Sequence, residues 1–363
     1  MVLAHFLLAM PLALAACAAN SAGQAGPLSL DVGDRPRGIA LADLDGDGRM
    51  DIAVANADSD SLSILLQSAD GTFVRSDFAA GNEPSDIELA DFNGDGTLDA
   101  AFANHETSLV TVLLGDGSGG FAPMPGSPFD SGARPHLHGL AVGDFNSDGH
   151  LDIAADSSDL DSIAVLLGKA GGFEAGQQVA AGQFPYYRVD ARPDGAQTGI
   201  LIPSPRAHTV SLIPGLADGG AALVAVGQAR GAMMVVDANL DSKGGRDVVA
   251  AHENAVSLWV AGDEGFTALP GSPLAFEIPT EIAVGDMDGD GRDEIAIGLW
   301  DSDRVHILSP EGALLGTIAA CFRPVGLAIG DVDGDGRGDL VAGCWEEPRV
   351  MLFTDPLQQL VQE

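Results

Sequence analysis

Residues 331–339 read DVDGDGRGD, a segment with acidic side chains at its first, third, fifth and ninth positions. This pattern recurs along the chain at regular intervals. Further clean copies begin at Asp43, Asp91, Asp144 and Asp286, and degenerate copies begin at Asp190 and Asp237. The intervals between neighbouring copies are 48, 53, 46, 47, 49 and 45 residues. A repeat of this length predicts a propeller or a solenoid.

Each repeat contains four short apolar runs. One run precedes the acidic segment, as at residues 282–285, and a second follows it, as at residues 295–298. A third run comes next, as at residues 110–114, and a Gly-Phe turn opens a fourth, as at Phe121. Short runs of apolar β-formers between Gly, Asp and Asn turns indicate strands. The sequence therefore predicts an all-β fold, a seven-bladed β-propeller of four-stranded blades, with proline-containing fourth strands at the outer edge.

The ends of the chain predict how the ring closes. The last repeat stops at its third strand, residues 350–353, and a matching fourth strand is present at residues 28–32. We expect this N-terminal strand to close the ring, because an open solenoid would need capping repeats. The predicted organisation is a signal peptide at residues 1–16, a linker at 17–26, the propeller at 27–353 and a tail at 354–363.

The acidic repeats over residues 27–353 resemble the FG-GAP and VCBS repeats. This resemblance implies the seven-bladed propeller type of integrin α-subunit heads and of many exported bacterial proteins. It is much less informative about function, because that family includes adhesins, lectins and propellers attached to lyases.

The five clean acidic segments have the oxygen donors that Ca²⁺ requires. Carboxylate or amide groups stand at positions 1, 3, 5 and 9, glycine permits the turn, and the backbone carbonyl of position 7 is the remaining protein ligand. Position 12 is apolar in all five, for example Val54 and Ala342, which excludes an EF-hand or a dockerin. The sequence thus predicts about five calcium sites. Their ligands are Asp43, Asp45, Asp47, Arg49 and Asp51; Asp91, Asn93, Asp95, Thr97 and Asp99; Asp144, Asn146, Asp148, His150 and Asp152; Asp286, Asp288, Asp290, Arg292 and Glu294; and Asp331, Asp333, Asp335, Arg337 and Asp339.

The two degenerate copies predict a different outcome. In the copy that begins at Asp190, Arg192 takes the third position and Thr198 the ninth, so the guanidinium is expected to replace the metal. The copy that begins at Asp237 has two extra residues and contains Lys243, which predicts a weak or empty site.

The N-terminus and the cysteines predict export. Residues 6–16 are almost wholly apolar but too short to span a bilayer, and they end in Leu-Ala-Ala before Cys17, which resembles a bacterial lipobox. We expect either lipidation of Cys17 or cleavage of an ordinary signal peptide near the same alanines. The protein would then be a periplasmic or outer-membrane lipoprotein, or a secreted protein. In an oxidising compartment, Cys321 and Cys344 are expected to form a disulfide, because they flank neighbouring antiparallel strands of one blade; two buried free thiols are the alternative.

The charge of the chain limits its partners. There are 53 acidic and 17 basic side chains, a formal net charge of −36. Such a chain repels the phosphates of nucleic acids and of anionic membranes, so the expected membrane contact is only a lipid on Cys17. We expect a monomer.

Loops on the face opposite the acidic hairpins carry the candidate ligand-binding residues. Alignment of the loops between second and third strands places His105, Glu253, Trp300 and Trp345 at equivalent positions on four blades. The two tryptophans are candidates for a stacking platform, with packing between blades as the alternative. Four histidines of this face, His105, His136, His138 and His252, suit a transition metal only if the ring brings them together; solvated loop histidines are the simpler interpretation.

These features favour a calcium-stabilised binding or adhesion module for an extracellular glycan or protein. A lyase-like polysaccharide enzyme and a purely structural cell-envelope scaffold are the alternatives. Catalysis has less support, because the chain lacks the Gly-x-Ser-x-Gly, His-Glu-x-x-His, P-loop and dinucleotide motifs.

Overall fold

A computed structural model describes residues 26–157, 160–174, 177–194, 197–216, 223–243 and 246–361. Its strands form seven antiparallel sheets arranged in a ring; six are built from consecutive strands of one repeat, and the seventh includes the N-terminal strand. The first strand of each blade lies nearest the centre and the fourth lies at the rim. The predicted seven-bladed β-propeller is confirmed. The signal peptide, Cys17 and most of the linker lie outside the described residues.

Blades 1 to 4 take up the first part of the chain. Blade 1 contains β2 (Pro36–Ala42), β3 (Asp51–Asn56), β4 (Ser61–Gln67) and β5 (Phe73–Ala79). Blade 2 contains β6 (Pro84–Ala90), β7 (Asp99–Asn104), β8 (Leu109–Gly115), β9 (Phe121–Pro123) and β10 (Phe129–Asp130). Blade 3 contains β11 (Leu140–Gly143), β12 (Asp152–Ser157), β13 (Ser162–Lys169), β14 (Gly172–Glu174) and β15 (Gln178–Ala180). Blade 4 contains β16 (Asp190–Asp194), β17 (Gln197–Ser204), β18 (Thr209–Ile213) and β19 (Val224–Gln228).

Blades 5 to 7 complete the ring. Blade 5 contains β20 (Met234–Ala238), β21 (Asp247–His252), β22 (Ala255–Gly262), β23 (Gly265–Ala268) and β24 (Leu274–Ala275). Blade 6 contains β25 (Pro279–Gly285), β26 (Glu294–Leu299), β27 (Arg304–Leu308) and β28 (Leu314–Ala319). Blade 7 contains β29 (Pro324–Gly330), β30 (Asp339–Cys344), β31 (Arg349–Phe353) and, as its outer strand, β1 (Leu28–Asp31).

The N-terminal strand closes the ring as predicted. Strand β1 pairs antiparallel with β31, with Leu30 opposite Val350. Leu30 and Val32 are only 1% and 3% exposed, and they join the apolar core between blades 7 and 1. The side-chain amide of Gln67 also donates to the carbonyl of Val332, 2.9 Å away across the same junction. The first and last repeats are therefore joined by both backbone pairing and burial.

The core is divided among the junctions between blades. In the part of the chain that the structure describes, seven apolar clusters lie between successive blades, one at each junction. Second strands are buried on both faces; every residue of β3, β7, β12, β21 and β30 is buried. A strand covered by a blade on each side reads as a continuous apolar run rather than an alternating one. This explains the unbroken runs seen in the sequence.

Proline divides two of the outer strands. In blade 2, β9 and β10 are separated by a segment with Pro125 and the cis peptide Ser127–Pro128. In blade 5, β23 and β24 are separated by Pro270 and the cis peptide Ser272–Pro273. Because proline cannot donate to a β-ladder, these positions are tolerated only at an edge.

The C-terminal tail packs against blade 6. A 3₁₀ turn at Pro356–Gln359 follows β31, and Val361 exchanges two backbone hydrogen bonds with Thr317 of β28, at 2.8 and 3.1 Å. Among the described residues, no helix is long and apolar enough to cross a membrane.

Candidate functional site

The antiparallel blades place two sets of loops on opposite faces of the ring. Loops between the first and second strands form one face, called the hairpin face here, and they carry the acidic segments. Loops between second and third strands, and those from one blade to the next, form the other, called the opposite face. The candidate metal ligands and the candidate ligand-binding residues therefore lie on different faces.

The clean acidic hairpins are held by backbone N–H bonds to the side chains of their first and ninth residues. In the first, Asp43 accepts backbone N–H bonds from Gly46 and Gly48, both at 2.8 Å. The ninth residue, Asp51, is buried and accepts the N–H of Leu44 at 2.9 Å and that of Gln67 on the third strand at 2.7 Å. In the other four clean hairpins the N–H of the sixth residue likewise donates to the first residue, and the N–H of the second residue donates to the ninth. A further backbone N–H donates to the ninth residue in three of them, from Gly115, Gly168 and Asp355.

These bonds bring the remaining carboxylates together. The first, third and ninth residues of three hairpins offer oxygen atoms that lie within 4.8 Å of one another. These sets are Asp43, Asp45 and Asp51; Asp286, Asp288 and Glu294; and Asp331, Asp333 and Asp339. In the other two clean hairpins the third residue is an asparagine, and its amide bonds to the fifth residue, Asp95 or Asp148. The donors are all hard oxygens, which fit Ca²⁺.

The buried ninth residue is where a cation would relieve most unfavourable charge. Burial, and then repulsion from neighbouring aspartates, raises the pKa of Asp99 and Asp152 to about 6 although backbone N–H groups oppose the shift. The same causes raise the pKa of Asp339 to about 6 and that of Glu294 to about 7. A cation bound among these oxygens would stabilise their charged form.

Arginines at the seventh position add a feature that the sequence analysis missed. The prediction for this position was limited to its backbone carbonyl. The guanidinium of Arg49 contacts the carboxylate of Asp47, and two other hairpins have the corresponding pairs, Arg292–Asp290 and Arg337–Asp335. The available signal was the opposite charge of residues two positions apart, on either side of a glycine with positive φ such as Gly48.

The interpretation of the fourth repeat was wrong. Strands β16 and β17 form a continuous ladder in which Arg192 pairs with Gly199. In other blades the residue before the hairpin pairs with the ninth residue, as Gly143 does with Asp152. Strand β12 ends at Ser157, five residues after Asp152, and β17 ends at Ser204, five residues after Gly199. Gly199 therefore stands at the ninth position, and Arg192 precedes the hairpin. Because Arg192 lies next to the following blade, its guanidinium is 4.0 Å from the carboxylate of Asp237 in blade 5.

The register of the fifth repeat was also wrong. The N–H of Leu240 donates to Asp247 at 2.8 Å, as the second residue of every clean hairpin donates to the ninth. The segment therefore begins at Asn239 and has the normal length. Lys243 then occupies the fifth position, and its ammonium lies 2.8 Å from Asp241. A protein cation thus stands among the acidic groups of this hairpin.

The structure joins Cys321 and Cys344 by a disulfide whose Cα atoms are 5.6 Å apart. Cys344 ends β30 and Cys321 precedes β29, and both are buried. The bond connects the first two strands of the blade that closes the ring.

On the opposite face, the aligned residues of the loops between second and third strands make the same backbone hydrogen bond. The N–H groups of Trp300 and Trp345 donate to the carbonyls of Ile278 and Arg323, at 3.2 and 3.3 Å. His105 and Ala57 donate in the same way to Glu83 and Arg35. All four acceptor residues have positive φ, between 45° and 55°. The N–H group makes this bond, so the side chain at the position varies from blade to blade.

Trp300 and Trp345 do meet, but not as an open platform. Their rings pack edge to face with centroids 5.6 Å apart, and both are half-buried. The guanidiniums of Arg323 and Arg35 lie over them at 4.6 and 4.7 Å. Glu253 lies away from this pair on blade 5, exposed and 3.6 Å from Arg230.

Three of the four histidines converge. The Nε2 atoms of His105 and His138 are 3.2 Å apart, and the ring of His136 lies 5.0 Å from that of His105. Burial, together with neighbouring His138, Arg37 and His136, lowers the pKa of His105 to about 4. His252 instead is buried in blade 5, where its Nε2 lies 2.9 Å from the hydroxyl of Ser257. The interpretation as solvated loop histidines is wrong for the buried His138, whereas His136 is exposed.

Beside them, charged groups fill the centre of the ring. Arg188 reaches across the channel to Glu281, 2.8 Å away, and Asp86 lies close to both. Burial and the charge of Asp86 raise the pKa of Glu281 to about 7, although Arg188 opposes the shift. Arg37 enters the same small cavity, where its guanidinium lies 5.8 Å from the centre of the Tyr187 ring.

The two faces differ in how their arginines are paired. In the described part of the chain, every arginine of the hairpin face has a carboxylate within 4.0 Å. Three arginines of the opposite face have none among these residues. They are Arg37, Arg134 and Arg206, of which Arg134 and Arg206 are exposed. Despite a net charge of −36, these three guanidiniums have no carboxylate within 4.0 Å among the described residues, although Arg37 interacts over a longer distance with Asp86 and Glu281.

Comparison with known proteins supports the repeat assignment. A family model described as FG-GAP-like repeat matches residues 43–102 and 91–155, which contain the first three acidic hairpins. No curated protein matches the sequence.

Solved structures share the fold. The chain is similar to BBS1N from a complex with ARL6DN, at 12% identity and a TM-score of 0.62, over 91% of this chain and 96% of that one. It is similar to the hydrazine synthase of Kuenenia stuttgartiensis, at 14% identity and a TM-score of 0.64, over 93% and 99%. It also resembles a functionally unknown protein from Desulfotomaculum acetoxidans, at 15% identity and a TM-score of 0.58, over 81% and 89%. At these identities the similarity concerns the fold.

Proposed function

We propose that this seven-bladed β-propeller with FG-GAP-like repeats is a calcium-stabilised binding module that captures an acidic extracellular ligand on its opposite face. The observation that carries the proposal is the set of arginines without carboxylate partners on that face, Arg37, Arg134 and Arg206. An acidic glycan such as a polyuronide suits them, because its carboxylates would be recognised by guanidinium groups and its sugar rings by half-exposed aromatic side chains.

Calcium would serve the hairpin face. Three of the five clean hairpins have carboxylate oxygens within 4.8 Å of one another, and in all five the pKa of the buried ninth carboxyl is raised, which marks a position where a bound cation would be stabilising. The fourth repeat has no acidic loop, and Lys243 provides the cation in the fifth. We therefore expect five Ca²⁺ ions at most, with a structural role.

Calorimetric titration of the metal-free protein tests this part. At ten times Kd each site should add about 1.4 kcal/mol to the free energy of unfolding, so millimolar Ca²⁺ should clearly raise Tm. Asp335→Ala should remove one equivalent. Asp241→Ala is the matched control, because Lys243 already neutralises that hairpin, and its stoichiometry should equal that of the wild type. A melting curve that is identical in Ca²⁺ and in EDTA would contradict the metal assignment.

Binding to polyuronides and to neutral glucans tests the ligand class. Arg37→Ala should weaken polyuronide binding about 10- to 150-fold, because a charge-assisted hydrogen bond is worth about 1.5–3 kcal/mol. Arg304→Ala is the control, since it removes the same charge from the same face at a residue that has Asp303 at 3.9 Å. Equal affinity for neutral and acidic glycans would refute the proposal. Release of an ultraviolet-absorbing unsaturated product would identify a lyase instead.

Export rests on the N-terminal segment and on the disulfide, which fits an oxidising compartment. If Cys17 carries lipid, Cys17→Ser should move the protein from the membrane fraction to the soluble fraction with unchanged Tm. Wild-type protein that is already soluble and lacks residue 17 would indicate an ordinary signal peptide.

A further inference from the structure

We propose that His105, His136 and His138 form a transition-metal site of the zinc class on the opposite face. This site is separate from the calcium hairpins and does not depend on the proposed ligand. Its residues come from two neighbouring blades: His105 follows β7 of blade 2, and the other two precede β11 of blade 3.

The distance between two imidazoles fits a shared ion. The Nε2 atoms of His105 and His138 are 3.2 Å apart. Two nitrogen ligands at 2.0–2.1 Å from a tetrahedral Zn²⁺ are separated by about 3.3–3.4 Å. The ring of His136 lies 5.0 Å from that of His105 and 6.5 Å from that of His138. One ligand atom each from His105, His136 and Glu106 lie within 4.8 Å of one another, and His138 is not in that set. The exposed His136 therefore has to change rotamer to join an ion held by the Nε2 atoms of His105 and His138.

A buried carboxylate orients one of these histidines. Asp156 has no exposed surface, and its Oδ2 lies 3.2 Å from Nδ1 of His138. Its other oxygen accepts the backbone N–H of His138 at 2.7 Å. With Nδ1–H donated to Asp156, Nε2 is the atom that carries the free lone pair and points toward His105. Carboxylate–histidine pairs of this kind fix the tautomer and the ring orientation of metal ligands.

The surrounding charges also favour a cation. Glu106 and Glu83 have carboxylate oxygens 3.3 and 3.6 Å from Nδ1 of His105. Together with Asp156 they place three carboxylates around three imidazoles, whereas Arg37 is the nearby cation. A hydrogen bond between His105 and His138 would account for the 3.2 Å contact alone. It would not explain the third histidine or the surplus of carboxylates.

The site has an exposed side on which a ligand could reach the metal. His136 and Glu106 are exposed, while His138 is buried against the ring of Tyr186, 4.4 Å away. Three histidines supply three of the four ligands of a tetrahedral zinc ion, and the remaining position would accept water or an oxygen of an external molecule.

Titration with Zn²⁺ in the presence of millimolar Ca²⁺ tests the proposal, because excess Ca²⁺ keeps the hairpin face occupied. The wild type should bind one equivalent, and Co²⁺ in its place should give the intense visible absorption of a tetrahedral ion with nitrogen ligands. His105→Ala and His136→Ala should each weaken binding at least tenfold. Asp156→Asn should weaken it about 10- to 100-fold through loss of ligand orientation.

His208→Ala is the matched control. His208 is an exposed histidine of the same face whose Nδ1 accepts only the N–H of Gly231, at 3.3 Å. This variant should bind Zn²⁺ as the wild type does. His136→Ala removes an exposed side chain, so its melting curve should remain that of the wild type and a loss of metal binding can be attributed to the site. Wild-type protein that binds neither metal, or variants at 105 and 136 that both bind with full affinity, would overturn the proposal.

Discussion

Removal of the Cys321–Cys344 bond should lower the stability of the whole propeller by a calculable amount. The two residues are separated by 23 positions. In the chain-entropy model, a loop of this length destabilises the unfolded state by about 3.4 kcal/mol at 25 °C. For roughly 330 residues that unfold together, at about 2.1 cal/mol/K each, the entropy of unfolding is about 0.7 kcal/mol/K. The expected decrease in Tm is therefore about 5 °C.

Differential scanning calorimetry of three samples separates the cross-link from packing. Oxidised and reduced wild type differ only in the bond, and reduced wild type and the Cys321→Ala/Cys344→Ala variant differ only in the two buried sulfurs. We expect the first comparison to show the decrease of about 5 °C. The second should show a smaller loss from the cavity that remains. Reductant should leave the double variant unchanged.

Two results would refute this reasoning. If reduced and oxidised wild type melt at the same temperature, the unfolded chain is not constrained as the model assumes. If blade 7 melts separately from the other six, the transition is not cooperative and a single Tm is not defined. The second result matters because the outer strand of blade 7 comes from the other end of the chain.

Two further perturbations test the ring and its centre. Leu30→Ala removes a side chain that is 1% exposed between blades 7 and 1, so chemical denaturation should show a free energy of unfolding that is lower by about 2–5 kcal/mol. Leu28→Ala, at a half-buried position of the same strand, should lower it less, and equal decreases would argue against closure by burial. Glu281 has a folded-state pKa of about 7, above its usual 4.5. Between these pH values the native state binds more protons than the unfolded state. The contribution of Glu281 to the free energy of unfolding is therefore lost as pH rises from 4.5 to 7. Glu281→Gln, which faces Arg188, Asp86 and Arg37, should flatten this part of the pH–stability curve, and an unchanged slope would show that Glu281 does not titrate there.

Features that repeat within one blade could be predicted from the sequence. The acidic segments with their flanking apolar runs predicted the blades, because a strand–turn–strand unit depends on local residues. The N-terminal strand was recognised as the missing part of the last repeat for the same reason. The positions of Cys321 and Cys344 were also local, since they flank two strands that must be neighbours.

The register of a hairpin and the distance between neighbouring blades were harder to predict. The fifth repeat was read from Asp237 because an acid was sought at the first position, but the buried Asp247 fixes the hairpin and places Asn239 there. The distance between His105 and His138 depends on how close neighbouring blades come at the centre, which no single repeat specifies. At the next junction, between blades 3 and 4, a glycine permits a similarly close contact: a Cβ on Gly139 would lie 2.5 Å from the carbonyl oxygen of Tyr187.

Side-chain hydrogen bonds hold the loops of the hairpin face, whereas backbone hydrogen bonds hold the aligned loops of the opposite face. This difference explains why side chains can vary at the aligned positions of the opposite face and not at the ninth position of the hairpins. On the hairpin face the side chain of the ninth residue itself holds the loop, so changing Asp51 or Asp339 would leave backbone N–H groups without acceptors. On the opposite face the equivalent loop is held by a backbone N–H and a carbonyl, at alanine, histidine and tryptophan positions alike. A substitution there removes no hydrogen bond of the frame. The fold can therefore present different side chains around its centre without changing the blades that carry them, and the structure places the histidines, the tryptophans and the arginines without carboxylate partners on this face.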